Sequence, residues 1–310
     1  NPTNPLTASR LYWSICMPSL TYGLELISVN EQALSKLEGG HREIAKKIQG
    51  ISAKTCNPAC TATLGWHSIS SRIFISKLML LWQLLALPIT NVYKKLVIVR
   101  LTFATHYNLH KLSPIGDCLK IARSFGLLGD VYEMLNVGTI PKLQWKRRVK
   151  NVVYERELSN WRVQCILFEK LSLFRMVQKE INPLVWWTLA KCNPMLLKPC
   201  RTIVKLLTGE GNLMVNCKRW SGGKINDLCL VCGEAIENLV HMVLECPGHK
   251  AKRKDIENIL IQMYLDTPLP PNDVLLPILF GENNVLTEDQ YIKIALSIYG
   301  MYEARPNVDF

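Results

Sequence analysis

The sequence predicts a mainly helical protein. Apolar residues recur at intervals of three and four, the spacing that places them on one face of a helix, as at Leu34, Leu37, Ile44 and Ile48 with His41 among them. Helical segments do not alternate with strands as they would around a parallel sheet. We therefore expect a mainly α fold.

Glycine, proline and capping residues divide this pattern into segments. Asn30 can cap the helix that opens with Glu31, and Gly50 is placed to end it. The apolar run 73–89 includes a lysine and a glutamine and is cut by Pro88, so we expect a buried helix there and no membrane span. The segments expected to be helical are 8–27 with a break at Pro18 and Gly23, 31–49, about 70–87, 92–135 in pieces, 143–179 and 287–302, whereas 52–66 is expected as a loop and 268–271 as a linker.

The chain is basic, with a net charge of +12 over 310 residues and a sequence pI of about 9.2. Such an excess favours an anionic partner, with nucleic acid first and an anionic membrane surface second, although plain solubility would also account for it. The 11 cysteines are scattered and odd in number, which favours a reducing compartment, nuclear or cytoplasmic, with free thiols and a metal site.

Four residues carry the spacing of a metal site: Cys229, Cys232, His241 and Cys246. A cysteine pair of this spacing aims both sulfurs at one point, and Gly233 suits the turn that follows. Asn238 can cap a short helix that carries His241, and that helix must end or tighten before Cys246, which precedes a proline.

Three thiolates and one imidazole form a closed tetrahedral set, so we expect one structural zinc ion and no catalytic metal. The alternative is three ordinary buried cysteines with a core histidine. Cys217 and His249 could compete as ligands, whereas the pair Cys56 and Cys60 has no further ligand at a useful distance.

Two basic clusters are candidate contacts with nucleic acid, because Lys and Arg beside phosphate release counterions and exposed aromatic rings can stack on bases. The first lies near Trp145, Tyr154 and Trp161 and could equally be a solvated helix face above core tryptophans; the second follows the last metal ligand, and for it we favour contact. Trp186 and Trp187 are expected in the core. The candidate contacts are Lys146, Arg147, Arg148 and Lys150 in the first cluster and Lys250, Lys252, Arg253 and Lys254 in the second.

Catalytic patterns are not found in the sequence. No two aspartates are adjacent, so the carboxylates of a two-metal polymerase palm are not apparent. Neither a phosphate-binding loop of the Walker type nor a Gly-x-Ser-x-Gly elbow occurs. We expect no catalytic residues and no small-molecule substrate.

Two stretches resemble one family. The metal motif, with Leu206–Gly209 ahead of it and Glu245–Pro247 at its end, resembles the C-terminal zinc-binding domain of reverse transcriptases from non-LTR (LINE-type) retrotransposons. The N-terminal residues are similar to the segment beyond the polymerase palm of these enzymes, where the thumb begins, although Thr21 and Ile27 depart from the pattern. The matching N-terminal residues are Leu11-Tyr12, Ser14-Ile15, Pro18, Tyr22-Gly23, Glu25, Leu37-Glu38, His41-Arg42 and Lys46 to Gly50.

The resemblance implies a fragment of an RNA-directed DNA polymerase that lacks the palm and cannot polymerise alone. It implies template–primer duplex or element RNA as the partner, and it nominates Arg42, Lys46 and Lys47 as thumb contacts. The expected divisions are a thumb-like helical region over 1–90, a basic helical connector over 91–200, a CCHC zinc module over 201–265, and a linker with a last helix over 266–310. The rival hypothesis is a zinc-stabilised helical scaffold that binds a protein partner.

Overall fold

A computed structural model describes residues 3–107 and 113–306, with the side chains of 104–107 left out. The fold is mainly helical, as the sequence predicts. Within the described ranges, pairing of strand type is limited to two isolated antiparallel bridges, Leu64 with Pro183 and Leu228 with Ile236. None of the described helices combines the length and the apolar character that crossing a membrane would require.

The α-helices are numbered in chain order. The first eight are α1 (Pro5–Leu11), α2 (Met17–Thr21), α3 (Glu31–Gln49), α4 (Asn57–Ala62), α5 (Ile69–Leu85), α6 (Val92–Tyr107), α7 (Pro114–Ser124) and α8 (Leu128–Asn136). The next eight are α9 (Lys142–Ile166), α10 (Ser172–Val177), α11 (Val185–Cys192), α12 (Leu197–Leu207), α13 (Met214–Trp220), α14 (Lys250–Met263), α15 (Asn272–Leu279) and α16 (Glu288–Glu303).

The chain divides into two compact units. Unit 1 comprises residues 1–10, 42–66 and 162–310, and unit 2 comprises residues 11–41 and 67–161. Each unit therefore combines segments that are distant in sequence. The four-part division expected from the resemblance stays a prediction.

Unit 2 has a core formed by α5 to α9. Leu78, Leu81, Leu119, Val131 and Trp145 are buried in it. The indole N–H of Trp145 donates to the carbonyl of Leu78 at 3.1 Å, so the one polar atom of this large side chain is satisfied in the core.

Unit 1 is centred on two adjacent tryptophans. Trp186 and Trp187 are both 0% exposed, which confirms the expectation that they belong to the core. The Trp187 indole and the Thr63 hydroxyl both donate to the side-chain oxygen of Gln49, at 3.0 and 2.6 Å. The Trp186 indole donates to the carbonyl of Phe280 at 2.9 Å.

Two predictions about the N-terminal third were wrong. Pro18 does not break the first helix, because a π-helical turn at Tyr12–Cys16 joins α1 to α2 and the proline falls in the first turn of α2. The helix ends at Thr21, and Gly23 follows at φ +75°. Residues 52–66 are not all loop, because α4 forms within them with Pro58 in its first turn, where no N–H is needed.

Other predicted boundaries agree with the structure to within a few residues. The side chain of Asn30 accepts the N–H of Ala33 at 2.7 Å and so caps α3, and Gly50 at φ +62° follows its last residue. The predicted segment 143–179 forms α9 and α10 with a 3-10 turn between them. The segment 92–135 forms α6, α7 and α8, while its part at 108–112 lies outside the described residues.

Candidate metal centre

A tight turn presents the first two candidate ligands. The bridge between Leu228 and Ile236 closes a short loop, in which the N–H of Cys229 donates to Ala235 O at 2.8 Å. The N–H of Gly233 donates back to Cys229 O at 2.8 Å. Gly233 has φ +73°, a left-handed conformation that glycine adopts without strain, so the sequence dictates this turn locally.

The second pair of ligands lies on a short helix and at its end. The side chain of Asn238 accepts the N–H of His241 at 2.8 Å, which is the predicted cap. The last turn, His241–Glu245, is π-helical, and the N–H of Cys246 reaches His241 O at 2.7 Å. The helix therefore ends before Cys246, which is one of the two expected outcomes, and its last turn is wider than an α-helical turn.

These elements bring the four predicted ligands together. One ligand atom from each of Cys229, Cys232, His241 and Cys246 lies within 4.8 Å of the other three. Cys229 Sγ and Cys246 Sγ are 3.8 Å apart, and Cys232 Sγ is 3.3 Å from His241 Nε2. The group is placed to hold a metal ion.

The protein surroundings act differently on two of the thiols. Hydrogen bonds from the backbone N–H of Glu234, and then of Ala235, lower the pKa of Cys232 to about 7 despite partial burial. Burial raises the pKa of Cys246 to about 11. A coordinated metal ion would hold both sulfurs as thiolates, since a ligating thiol is deprotonated.

A buried ion pair lies beside the ligand Cys229. Glu237 is 0% exposed, and its Oε1 lies 2.6 Å from Arg305 Nε and 3.9 Å from Cys229 Sγ. The other carboxylate oxygen accepts the N–H of Met214 at 2.8 Å. Neither member of the pair was predicted from the sequence. Arg305 lies 68 positions after Glu237, so no short-range spacing could reveal it.

Arg253 is a second support, although its position in a basic run nominated it as a nucleic-acid contact. It is only 7% exposed. Its guanidinium donates to Cys246 O at 3.2 Å and pairs with Glu257 at 3.0 Å. These bonds tie α14 to the last ligand, so this side chain acts within the protein.

The two competing candidates lie outside the ligand group. Among the described residues, the group of four does not include Cys217 or His249, although both are buried. His249 is 1% exposed, and neither ring nitrogen has a hydrogen-bond partner within the described part of the chain. Burial lowers the pKa of this histidine, which keeps its ring neutral. The pair Cys56 and Cys60 is also buried and belongs to no such group in the described residues.

The basic candidates differ in exposure. In the first cluster Lys146, Arg147 and Arg148 are exposed and Lys150 is half-buried, and Arg148 pairs with Asp130 at 2.8 Å. In the second cluster Lys250, Lys252 and Lys254 are exposed.

The thumb candidates lie on α3. Arg42 is half-buried. Lys46 donates to Ala53 O at 2.8 Å, and Lys47 pairs with Glu43 at 2.7 Å. Two of the three cations therefore already have partners within the chain.

Trp145 and Trp161, near the first cluster, are core residues, and Tyr154 is half-buried. Trp145 and Trp161 are 0% and 7% exposed, and Tyr154 stacks on His67 with ring centres 3.8 Å apart. This arrangement matches the alternative of a solvated helix face above core tryptophans. These rings are not available to stack on bases.

Comparison of the chain with models of known families, with curated proteins and with solved structures found no match.

Proposed function

We propose that this chain is a nucleic-acid-binding part of a polymerase, held together by a structural zinc ion and without catalytic residues of its own. The assignment to a polymerase rests on the resemblance to the thumb and zinc-binding region of LINE-type reverse transcriptases. The net charge of +12 supports binding to nucleic acid, and the metal centre supports the structural zinc ion.

Zinc is the metal that the donor set favours. Three thiolates and one imidazole are the soft ligands of structural zinc sites. A tetrahedral zinc with Zn–S bonds of about 2.3 Å has S···S edges of about 3.8 Å. Cys229 Sγ and Cys246 Sγ lie at that separation, 3.8 Å. The four donors would hold the ion and leave no position for a reacting water, so its contribution is to folding.

One observation carries the nucleic-acid proposal. Helix α14 begins at Lys250, four positions after the ligand Cys246, and Arg253 bonds the first turn of the helix to that ligand. The first five residues of the helix include Lys250, Lys252 and Lys254, which are exposed to solvent. The metal would thus hold three exposed cations on a rigid element, which is how a small module gains affinity for phosphates.

The test is a titration of labelled RNA and of a primer–template hybrid with the zinc-loaded chain at two salt concentrations. We expect binding that weakens steeply with salt, because counterion release drives it. Repeating the titration with Cys232→Ser asks whether the contact depends on the metal centre, and Cys192→Ser, an exposed cysteine outside the centre, is the control. A folded, zinc-loaded chain that binds neither nucleic acid would refute the proposal.

A scaffold that binds a protein partner is the second candidate function. Helix α6 supports it, because Val92, Leu96 and Val99 recur at helical spacing and are 65%, 55% and 49% exposed. An exposed apolar stripe of this kind is typical of a protein contact. Changing Leu96 and Val99 to serine should abolish capture of such a partner and leave nucleic-acid binding unchanged.

A further inference from the structure

Unit 1 contains an open cavity of about 440 Å³ that no sequence motif indicates. Its wall combines chain that follows α3, a residue of α12, the end of α13 and the end of α16. Its lining includes Ser52, Lys54, Lys205, Asn212, Trp220 and Tyr302. The volume falls within the range of small-ligand sites, about 300–1,000 Å³.

Two aromatic rings and two lysines line this cavity. Trp220 is 43% exposed, unlike the buried tryptophans beside the first basic cluster. Tyr302 is held in place, because its hydroxyl accepts the N–H of Asn212 at 3.2 Å and its ring lies 5.1 Å from the Arg305 guanidinium. The exposed part of the Trp220 indole can contact a base, and the lysines can bind a phosphate.

The acidic group in the wall does not cancel this charge. Glu210 also lines the cavity, but it pairs with Lys170 at 2.5 Å. The cations Lys54 and Lys205 therefore set the sign of the site.

The remaining polar groups suit the edge of a base. The Asn212 side chain offers both a donor and an acceptor, and the Ser52 hydroxyl, whose oxygen accepts the N–H of Lys54 at 3.1 Å, offers its own O–H as a donor. A base can enter such a cavity only when it is unpaired and unstacked, which is the state that single strands provide. The chemistry thus favours one nucleotide of a single strand over a duplex.

We infer that this cavity binds one unpaired nucleotide of a single-stranded nucleic acid, with its base on Trp220 and its phosphate between Lys54 and Lys205. The inference rests on the proposed nucleic-acid function and locates part of it. It also assigns a role to Lys54, Lys205 and Trp220, which lie outside both basic clusters.

The experiment uses the zinc-loaded full chain and a labelled oligouridylate of about twelve nucleotides, within the usual span of single-strand sites. A duplex RNA of the same length and free uridine monophosphate are the comparison ligands. The variants are Trp220→Ala, Trp220→Phe and the double variant Lys54→Gln/Lys205→Gln. The double variant Lys191→Gln/Lys198→Gln changes two exposed lysines elsewhere in unit 1 and is the matched control. Zinc content and thermal unfolding show that each variant is folded.

We expect Trp220→Ala to weaken oligouridylate binding by about 5- to 150-fold, the range for loss of one base–aromatic stack. Trp220→Phe should retain most of the affinity, the Lys54/Lys205 variant should lose more than its control, and duplex binding should change little.

Wild-type affinity in both the Trp220→Ala and the Lys54/Lys205 variants would overturn the cavity as the site and leave the proposed function standing. A wild-type chain that binds neither RNA would overturn both. If free uridine monophosphate displaces the oligouridylate at a concentration similar to that of the oligouridylate itself, the ligand of the cavity is a free nucleotide and the inference of a single-strand site is wrong.

Discussion

The metal centre contains three cysteines whose surroundings differ. Cys246 is 0% exposed, directly follows the π-helical turn, and accepts a hydrogen bond from Arg253 at its carbonyl oxygen. Cys232 is partly exposed, and its sulfur accepts hydrogen bonds from two backbone N–H groups. In small zinc modules the metal contributes about 10–16 kcal/mol of apparent binding free energy. Losing one of four ligands should therefore affect folding as well as metal content.

We predict that Cys246→Ser abolishes stoichiometric zinc and lowers the melting temperature of the purified chain. Serine is a poor zinc ligand, and it would be buried where a thiolate is expected. Zinc per chain after dialysis and thermal unfolding are the measurements. Cys192→Ser, at an exposed cysteine outside the centre, should keep both values. One zinc per chain in Cys246→Ser would show that the ligand set is wrong.

The ion pair of Glu237 and Arg305 gives the second prediction at the scale of residues. The side chains are 0% and 4% exposed. Replacing Arg305 by methionine leaves a buried carboxylate unpaired, which typically costs about 3–5 kcal/mol. We expect a loss of that order in urea unfolding, and weaker zinc binding, because the carboxylate lies 3.9 Å from Cys229 Sγ.

The control for this prediction lies on α16, the helix that ends two residues before Arg305. Lys293 and Asp289 form an ion pair at 2.8 Å with side chains 51% and 72% exposed. Solvent screens such a pair, so Lys293→Met should leave the melting temperature almost unchanged. If both variants lose equal stability, the C-terminal segment is sensitive to any loss of a cation and the buried pair has no special role.

The site also shows how far single residues can be read from sequence. The four ligands and the cap at Asn238 follow from local spacing, because the turn and the helix that present them are built from neighbouring residues. Glu237 lies between the metal ligands in the sequence, but no local pattern indicated that it forms a buried ion pair, because its partner Arg305 is distant in sequence. The burial of Arg253 also depends on tertiary packing, which a run of basic residues does not reveal.

Among the elements, α9 and α5 are joined within unit 2 by one carboxylate. Glu157 on α9 accepts bonds from His67 at 2.8 Å and from the N–H of Ser68, the residue that caps α5. Burial alone would raise the pKa of Glu157, but the hydrogen bonds from His67 and Ser68 outweigh burial and lower it below its ordinary value of 4.5. The charged form is therefore the one that the folded state stabilises.

We predict that Glu157→Gln lowers the free energy of unfolding near neutral pH by about 1–3 kcal/mol, the cost of weakening a buried hydrogen-bonded group. A lowered pKa stabilises the fold above the ordinary value of 4.5, and that contribution is lost as the pH falls through the folded-state pKa. Urea unfolding of both proteins across this range should therefore show curves that converge in acid. Glu155→Gln, at an exposed residue two positions earlier on the same helix, is the control. A constant difference at all pH values would mean that the charge of Glu157 is not the cause.

Helix boundaries were predicted well where the signal is local. Asn30 and Gly50 bracket α3, and Thr287 caps α16 with a reciprocal bond to Gln290. The errors came at prolines. Pro58 lies in the first turn of α4, where a missing N–H has no cost, whereas Pro18 lies two residues after the π-helical turn that carries the helix past it. The sequence alone did not distinguish either position from a break.

At the scale of the whole molecule, the charge of +12 attracts any polyanion, so binding alone does not identify the surface that is used. The arrangement of the exposed cations is the informative quantity. Lys250 and Lys254 lie on the helix that the metal centre holds through Arg253, whereas Lys191 and Lys198 are exposed elsewhere in unit 1. Either pair can be neutralised with the same change in net charge.

We predict that Lys250→Gln/Lys254→Gln weakens single-strand RNA binding and lowers the magnitude of the slope of log K against log salt. Each lost phosphate contact should lower that magnitude by about 0.7. Lys191→Gln/Lys198→Gln should reduce affinity only slightly and keep the slope, because long-range attraction between exposed charges is screened beyond roughly 10 Å at moderate salt. Equal losses in the two variants would mean that the chain attracts nucleic acid through its overall charge. If only the Lys250/Lys254 variant loses affinity, and if removal of zinc eliminates the difference between this variant and the wild type, then the metal centre positions a specific contact.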